Sequence, residues 1–373
     1  MAKKIAIITS HPIQYNSPLF ALMTKEPEID LMVFYTWGEA SLGPKYDPDF
    51  RKEIDWDIPL LEGYKYTFLQ NTSKEPGSNH FKGIINPTLN KEIETWGADF
   101  VWVWGWAFES HLKAILYFKG KVPVWFRGDS TLLDESKGIS LKKMARRFFL
   151  TWVYSHIDKS FYVGTHNKAY FRAHGMKETQ LVYAPHAIDN DRFTDCSGDF
   201  TNEAMIWKKE LGIKNDQKVL LFVGKFEIKK NPLYFKELIA CLEGQGYVGI
   251  MVGNGILEND LFKNSTANLI FLPFQNQTKM PVVYRLADAL ILPSVGPGET
   301  WGLVINEALA CGTNVFASKK CGGSIDLLSK NQILTLTVEK DVQKIQSFIK
   351  RNDYKTILSH NYSSIVTSVV NNL

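Results

Sequence analysis

Short apolar and β-branched runs alternate along this chain with longer stretches of helical periodicity. Residues 5–9, 31–35, 100–104, 122–126, 159–163 and 181–183 read as strands, and the segments between them as helices. These runs are apolar throughout rather than alternating, so both faces must be covered, which predicts a parallel sheet flanked by helices. The pattern restarts at 219–223 and continues through 247–252, 268–272, 289–292 and 314–317. A polar connection over 189–215, with one helix at 203–211, separates the two series. The predicted fold class is therefore α/β, with two domains at 1–190 and 191–338. Segment 339–373 follows, read as two helices broken near Asn352-Asp353 that can pack back across the first domain. Ligands of open parallel sheets bind at the carboxyl ends of strands, and two such sheets facing each other would make a cleft.

Composition narrows the class. Over 373 residues, 45% hydrophobic against 22% charged excludes disorder as the dominant state. Lys+Arg 43 minus Asp+Glu 39 leaves +4, too little for a protein that coats nucleic acid, so no nucleic-acid partner is expected. The cysteines Cys196, Cys241, Cys311 and Cys321 are scattered, against a disulfide framework or zinc ribbon, and a reducing cytoplasm is the expected location. Lys3 and Lys4 precede an apolar run too short for a signal-peptide core, and no run of about 18 apolar residues spans a bilayer. Ten Trp, 15 Tyr and 23 Phe supply core packing, and equally stacking surfaces for sugars or membrane contact.

Candidate chemistry is densest at 292–312. A strand ends at Pro293, a Gly/Pro loop follows, and helix formers run from Leu303 to Ala310 until Gly312. Amides at that helix start, with Gly302 removing side-chain bulk, form an anion site suited to a diphosphate. Glu299 in the loop and Glu307 in the helix then offer two carboxylates to hydroxyls at opposite ends of one polyhydroxylated ligand. The plain alternative is a turn cap at Glu299 and a solvent-facing Glu307. Earlier, a strand at 220–223 leads into Gly224, Lys225, Lys229, Lys230 and Pro232. Lysines there would neutralise phosphate oxygens and the charge growing on a departing nucleoside diphosphate, or else form a solvated run.

Lys225 and Lys230 after Gly224, then Val252-Gly253-Asn254-Gly255, then Glu299 to Glu307 with Trp301-Gly302-Leu303, resemble glycosyltransferase family 4. These are retaining enzymes with the GT-B fold of two Rossmann-like domains, known from bacterial polysaccharide and lipopolysaccharide biosynthesis. Residues 184–193 look like the family's entry into its second domain. The resemblance implies that Lys225 and Lys230 hold the diphosphate of a UDP- or GDP-linked sugar donor. It implies Glu299 at the transferred sugar and Glu307 at the ribose, with the amides of Gly302, Leu303 and Val304 at the phosphates. The base would lie near Phe274 and Met280. No cofactor and no metal are implied, and Asp47-Pro48-Asp49, which has metal-motif spacing, reads as a surface turn.

The first domain departs from the family. Where members place a glycine-rich loop, residues 10–18 carry His11 and Gln14, candidates for the acceptor side. Arg127 stands where relatives show a histidine, and Trp106 lies past a strand end where it can stack on an acceptor sugar. Helix 141–152 sets apolar residues at 141, 144, 145, 148, 149 and 152 opposite Lys142, Lys143, Arg146 and Arg147. Either it packs on the core with a solvated basic face, or it meets an anionic membrane surface, placing the protein peripherally on the inner face of the cell membrane. The expected activity is transfer of a sugar from a nucleoside-diphosphate sugar to a saccharide or lipid-linked saccharide. A GT-B phosphorylase, a nucleotide-sugar epimerase and a non-catalytic partner subunit are the alternatives.

Overall fold

The computed structural model describes residues 1–48, 50–135, 138, 140–351 and 360–373, so the expected break at Asn352-Asp353, and Asp49 and Lys137, lie outside the described residues. Strands β1 (Lys3–Thr9) and β2 (Ile29–Tyr35) are followed by a small antiparallel hairpin, β3 (Lys45–Asp47) and β4 (Lys52–Ile54). Then come β5 (Lys65–Phe68), β6 (Phe100–Trp104), β7 (Val124–Arg127), β8 (Lys159–Tyr162) and β9 (Leu181–Tyr183). The second series is β10 (Lys218–Val223), β11 (Tyr247–Val252), β12 (Leu269–Leu272), β13 (Ala289–Leu292), β14 (Asn314–Ser318) and β15 (Ile333–Leu334).

Two fully parallel sheets result, ordered β5-β2-β1-β6-β7-β8-β9 and β12-β11-β10-β13-β14-β15. Five consecutive residues of β1 and all of β7, β11 and β13 are buried, as strands covered by helices on both faces require. Strand order reverses between β1 and β6 in one sheet and between β10 and β13 in the other. At such reversals neighbouring loops diverge and leave room for a ligand at the carboxyl edge.

The chain divides into two compact units. One comprises 1–43, 59–186 and 361–373, and the other 44–58 and 187–360. Three details depart from the sequence division. The chain leaves the first unit after His186 rather than at 190. The hairpin 44–58 belongs with the second unit, although it interrupts the first series of strands. Finally, the two helices of the terminal segment part company. Val338–Arg351 stays on the second unit, where Val342, Ile345 and Ile349 join its core, and the fully buried Asp341 carboxylate accepts from Tyr234 Oη at 2.6 Å and from the Thr335 and Leu336 amides. Tyr362–Val370 belongs to the first unit, where Tyr362 donates to the Tyr15 carbonyl at 2.8 Å and Ser368 to that of Tyr183 at 2.6 Å. No described helix is long and apolar enough to cross a membrane.

Candidate functional site

In the second unit, the loops after β10 and β13 flank the reversal of strand order and carry the charged residues singled out above. β10 runs apolar to Val223, and Gly224 turns the chain out at φ +148. Lys230 ends a short 3₁₀ turn, and Pro232 opens the next helix, where its missing N–H removes no bond. After β13, the loop brings Glu299 back to Lys230 with Nζ to Oε2 at 2.5 Å, and Ser294 Oγ donates to the same carboxylate at 2.9 Å. Both partners are largely removed from water, with side chains 19% and 8% exposed. A carboxylate held this way is fixed in position, and so is the ammonium beside it.

Lys225 lies elsewhere on the same loop and faces the hairpin. Its Nζ is 3.0 Å from Asp47 Oδ2 and 5.1 Å from the centroid of Phe50. Asp47 is therefore more than a surface turn. The same hairpin region reaches the segment expected to receive the base: Phe274 packs edge-on to Phe50 at 5.1 Å and near Trp56 at 6.4 Å, and Asn276 donates to the Asp55 carbonyl at 2.5 Å. Phe274 is half-buried, while Met280 opens helix Met280–Arg285 at 4% exposure, so its side chain belongs to the interior.

Glu307 does not face solvent. It is 2% exposed, and Tyr284 Oη donates to its Oε2 at 2.5 Å. Its helix, Val304–Ala310, is entered through Gly302 at φ +88 and Leu303, and intrahelical bonding begins with Ile305 N to the Gly302 carbonyl at 2.9 Å. The preceding Trp301 is buried and donates its indole N–H to Asn306 Oδ1 at 2.8 Å, which anchors the loop to the helix.

Two glycine pairs hold these loops from behind. A Cβ at Gly253 would come within 2.0 Å of the Gly224 carbonyl oxygen, and one at Gly255 within 2.6 Å of that of Phe226. Asn254 between them accepts the Phe226 amide at its carbonyl and the Phe274 amide at its side chain, both at 2.9 Å. This glycine pair thus serves backbone approach between loops. The second pair, Gly322 and Gly323, had no place in the sequence reading. A Cβ on Gly322 would sit 1.7 Å from the Thr300 carbonyl oxygen, and the Gly322 amide bonds the Glu299 carbonyl at 3.1 Å. Adjacent glycines in the short loop between a strand and the next helix are the signal that would have found them. Beside them, burial pushes the Cys321 thiol up to about 12, which keeps it neutral next to Glu299.

The first-unit candidates scatter. His11, half-buried in the loop after β1, lies with Nδ1 2.9 Å from Ser10 Oγ and its ring edge-on to Trp37 at 5.3 Å. Gln14 lies three residues further in the same loop, half-buried. Arg127 ends β7 at 5% exposure and donates to the Ala184 and Pro185 carbonyls at 2.9 and 3.1 Å. Burial lowers its pKa to about 10, and two of its donors hold backbone, so it clamps the chain leaving the unit. Trp106 is half-buried, edge-on to Phe149 at 5.5 Å and packed against the core. The sequence missed His111, fully buried, whose Nδ1 donates to the Gly105 carbonyl at 2.7 Å while Nε2 lies 2.8 Å from Thr36 Oγ1.

Residues 204–359 match the family model for glycosyl transferases group 1. A D-inositol 3-phosphate glycosyltransferase of Mycolicibacterium smegmatis is 31% identical over 153 residues, 39% of this chain and 33% of the relative. The UDP-Gal:alpha-D-GlcNAc-diphosphoundecaprenol alpha-1,3-galactosyltransferase of Escherichia coli is 29% identical over 180 residues, 46% of this chain and 43% of the relative. The chain thus matches well under half the length of these curated relatives. Solved structures cover nearly all of it. Anabaena HepE in complex with UDP superposes with TM-score 0.68 at 16% identity over 99% of this chain and 97% of its own. Sucrose-phosphate synthase from Thermosynechococcus elongatus does so with TM-score 0.69 at 16% identity over 99% and 98%. The chain accordingly has the GT-B fold, and the similarity to glycosyl transferases group 1 is confined to its second unit, over residues 204–359.

Proposed function

We propose that the protein is a retaining glycosyltransferase that moves a sugar from a nucleoside-diphosphate sugar to a hydroxyl of a saccharide or lipid-linked saccharide in surface-polysaccharide assembly. The observation that carries this reading is the Lys230–Glu299 pair at the strand reversal, 2.5 Å apart and largely buried. In this reading the donor's diphosphate takes Lys230 and Lys225, and the loop amides of Gly302, Leu303 and Val304 bind its oxygens. Glu299, still fixed by Ser294, turns its acceptor capacity to hydroxyls of the transferred sugar. Glu307, oriented by Tyr284, receives the ribose, and Phe274 borders the base.

As the bond from the anomeric carbon to the diphosphate oxygen breaks, negative charge grows on the leaving group, where two ammonium groups stabilise it. The acceptor oxygen bonds to the same face, and its proton passes to the departing diphosphate oxygen. No side-chain base and no metal take part in this scheme. The UDP and UDP-glucose bound by HepE favour a uridine donor, and the diphosphoundecaprenol substrate in the Escherichia coli relative's name favours a lipid-linked acceptor.

Thermal-shift measurements with UDP, GDP, ADP and their sugars test the donor site: a bound nucleotide raises the melting temperature in proportion to RT ln(1 + [L]/Kd). One of them stabilises the wild type and not Lys230→Ala. Stabilisation by none, or equally in the variant, sinks the assignment. An α-linked product from an α-linked donor supports retention, and a β-linked product overturns it. Sugar release that requires inorganic phosphate would establish a phosphorylase instead, and a changed donor sugar without acceptor an epimerase.

A further inference from the structure

The helix Leu141–Tyr154 starts at Ser140, whose Oγ caps the Lys143 amide at 3.2 Å; its buried residues are Leu150, Val153 and Tyr154, and Phe149 against Trp106 and Arg147 on the Ala173 carbonyl add further ties to the first unit. At about 100° per residue, Leu141, Ala145, Phe148 and Trp152 fall along one line on the side opposite those buried residues, with Met144 beside it. The sequence left open whether this line faces the core, and it faces out. Leu141 is 86% exposed, Phe148 79%, Met144 57% and Trp152 41%. A contiguous apolar line of this kind marks an interaction surface, unlike apolar residues scattered singly.

The charges beside it select the occupant. Lys142 lies about 90° round from the line, and Arg146 and Arg147 lie further round on either side, toward the buried face, where Arg147 also donates to the Ala173 carbonyl at 2.7 Å. Lys143, Arg146 and Arg147 share a single carboxylate, Glu135, at 3.2, 3.8 and 3.4 Å, so four cations stand against one acid. Across 137–177 the chain has nine basic residues and one acidic, Asp158. Trp152 stacks near Phe149 at 5.8 Å, which places an indole at the edge of the apolar line, the position favoured at a membrane–water interface.

We propose that this helix lies in the plane of an anionic lipid surface, with Leu141 and Phe148 among the acyl chains, Trp152 at the interface, and Lys142 and Arg146 reaching for the phosphates. The inference goes beyond the transfer reaction and does not rest on it.

Co-sedimentation of the intact protein with phosphatidylcholine vesicles, with and without phosphatidylglycerol, tests it without donor or acceptor. Binding is expected to be at least about tenfold stronger to the anionic vesicles and to weaken in high salt. Leu141→Ser with Phe148→Ser lowers partition by about tenfold or more at an unchanged melting temperature, since both side chains are exposed. Lys142→Gln with Arg146→Gln removes the preference for anionic lipid. Absence of vesicle binding by the wild type overturns the proposal, as does binding that survives the serine pair. So does a dimer in light scattering that Phe148→Ser dissociates, because the line would then be covered by a second copy. An inactive transferase that still binds anionic vesicles would sink the functional reading and leave this one standing.

Discussion

At the strand reversal of the second unit, Lys230 and Glu299 meet side chain to side chain at 2.5 Å, on loops that leave the sheet. At the reversal of the first, His111 directs one ring nitrogen to a backbone carbonyl and the other to Thr36, and two strands along Arg127 grips two carbonyls. Both units are parallel α/β sheets, yet one keeps opposite charges on side chains that a ligand can re-partner, and in the other Arg127 and one nitrogen of His111 are committed to holding backbone. A mobile diphosphate can displace a carboxylate from an ammonium, whereas no ligand replaces a carbonyl bonded inside the fold. The second unit is therefore the place to look for donor chemistry.

The sharpest way to break that contrast is Lys230→Ala. Transfer is expected to fall about a hundredfold or more, the usual effect of removing one preorganised electrostatic contact to a developing charge, and steady-state kinetics reads it. A loss under tenfold would erase the distinction. Arg127→Met should behave in the opposite manner, lowering stability by about 3 kcal/mol in urea unfolding through two lost charge-assisted bonds, with kcat of the folded fraction little changed.

His111 sharpens the contrast through pH. Burial holds its folded-state pKa at about 4, below the ordinary value of 6.5. The neutral form is the one that fits, so its contribution is complete above pH 6.5 and is lost as pH falls through the window down to 4. Between pH 7.5 and 5 this linkage amounts to about 2 kcal/mol, measurable by urea unfolding at the two pH values. Burial also lowers His174 and His186, which adds in the same direction. The smallest expected effect is Asp47→Asn: freeing Lys225 from its hairpin partner should tighten nucleoside-diphosphate binding by a few-fold in titration calorimetry, and weaker binding would make Asp47 part of the donor site.

What the sequence made legible follows the range of the interactions. Strands such as Phe100–Trp104 and Tyr247–Val252 were readable because continuous apolar runs specify burial locally. The loop residues Lys230 and Glu299 could be listed, but their meeting across 69 positions needed the strand order. The hairpin was not legible at all: its strands are three residues long, polar and beside prolines, and its partner Lys225 lies 178 positions away. The bonds of Arg127 to the Ala184 and Pro185 carbonyls were illegible for a similar reason, since a carbonyl acceptor has no sequence signature. In the helix Leu141–Tyr154 periodicity gave the element correctly, but the apolar line and the buried contacts occupy different faces, and periodicity alone does not say which one the core takes.

The return of 361–373 to the first unit bears on how the molecule is made. During vectorial synthesis, β1 to β9 leave the ribosome well before the helix that completes their packing, with the whole of 187–360 emerging in between. The first unit must wait, with the Tyr15 and Tyr183 carbonyls lacking their partners, until 361–373 has been translated. A deletion of 361–373 would thus be felt in strands that were synthesised long before it.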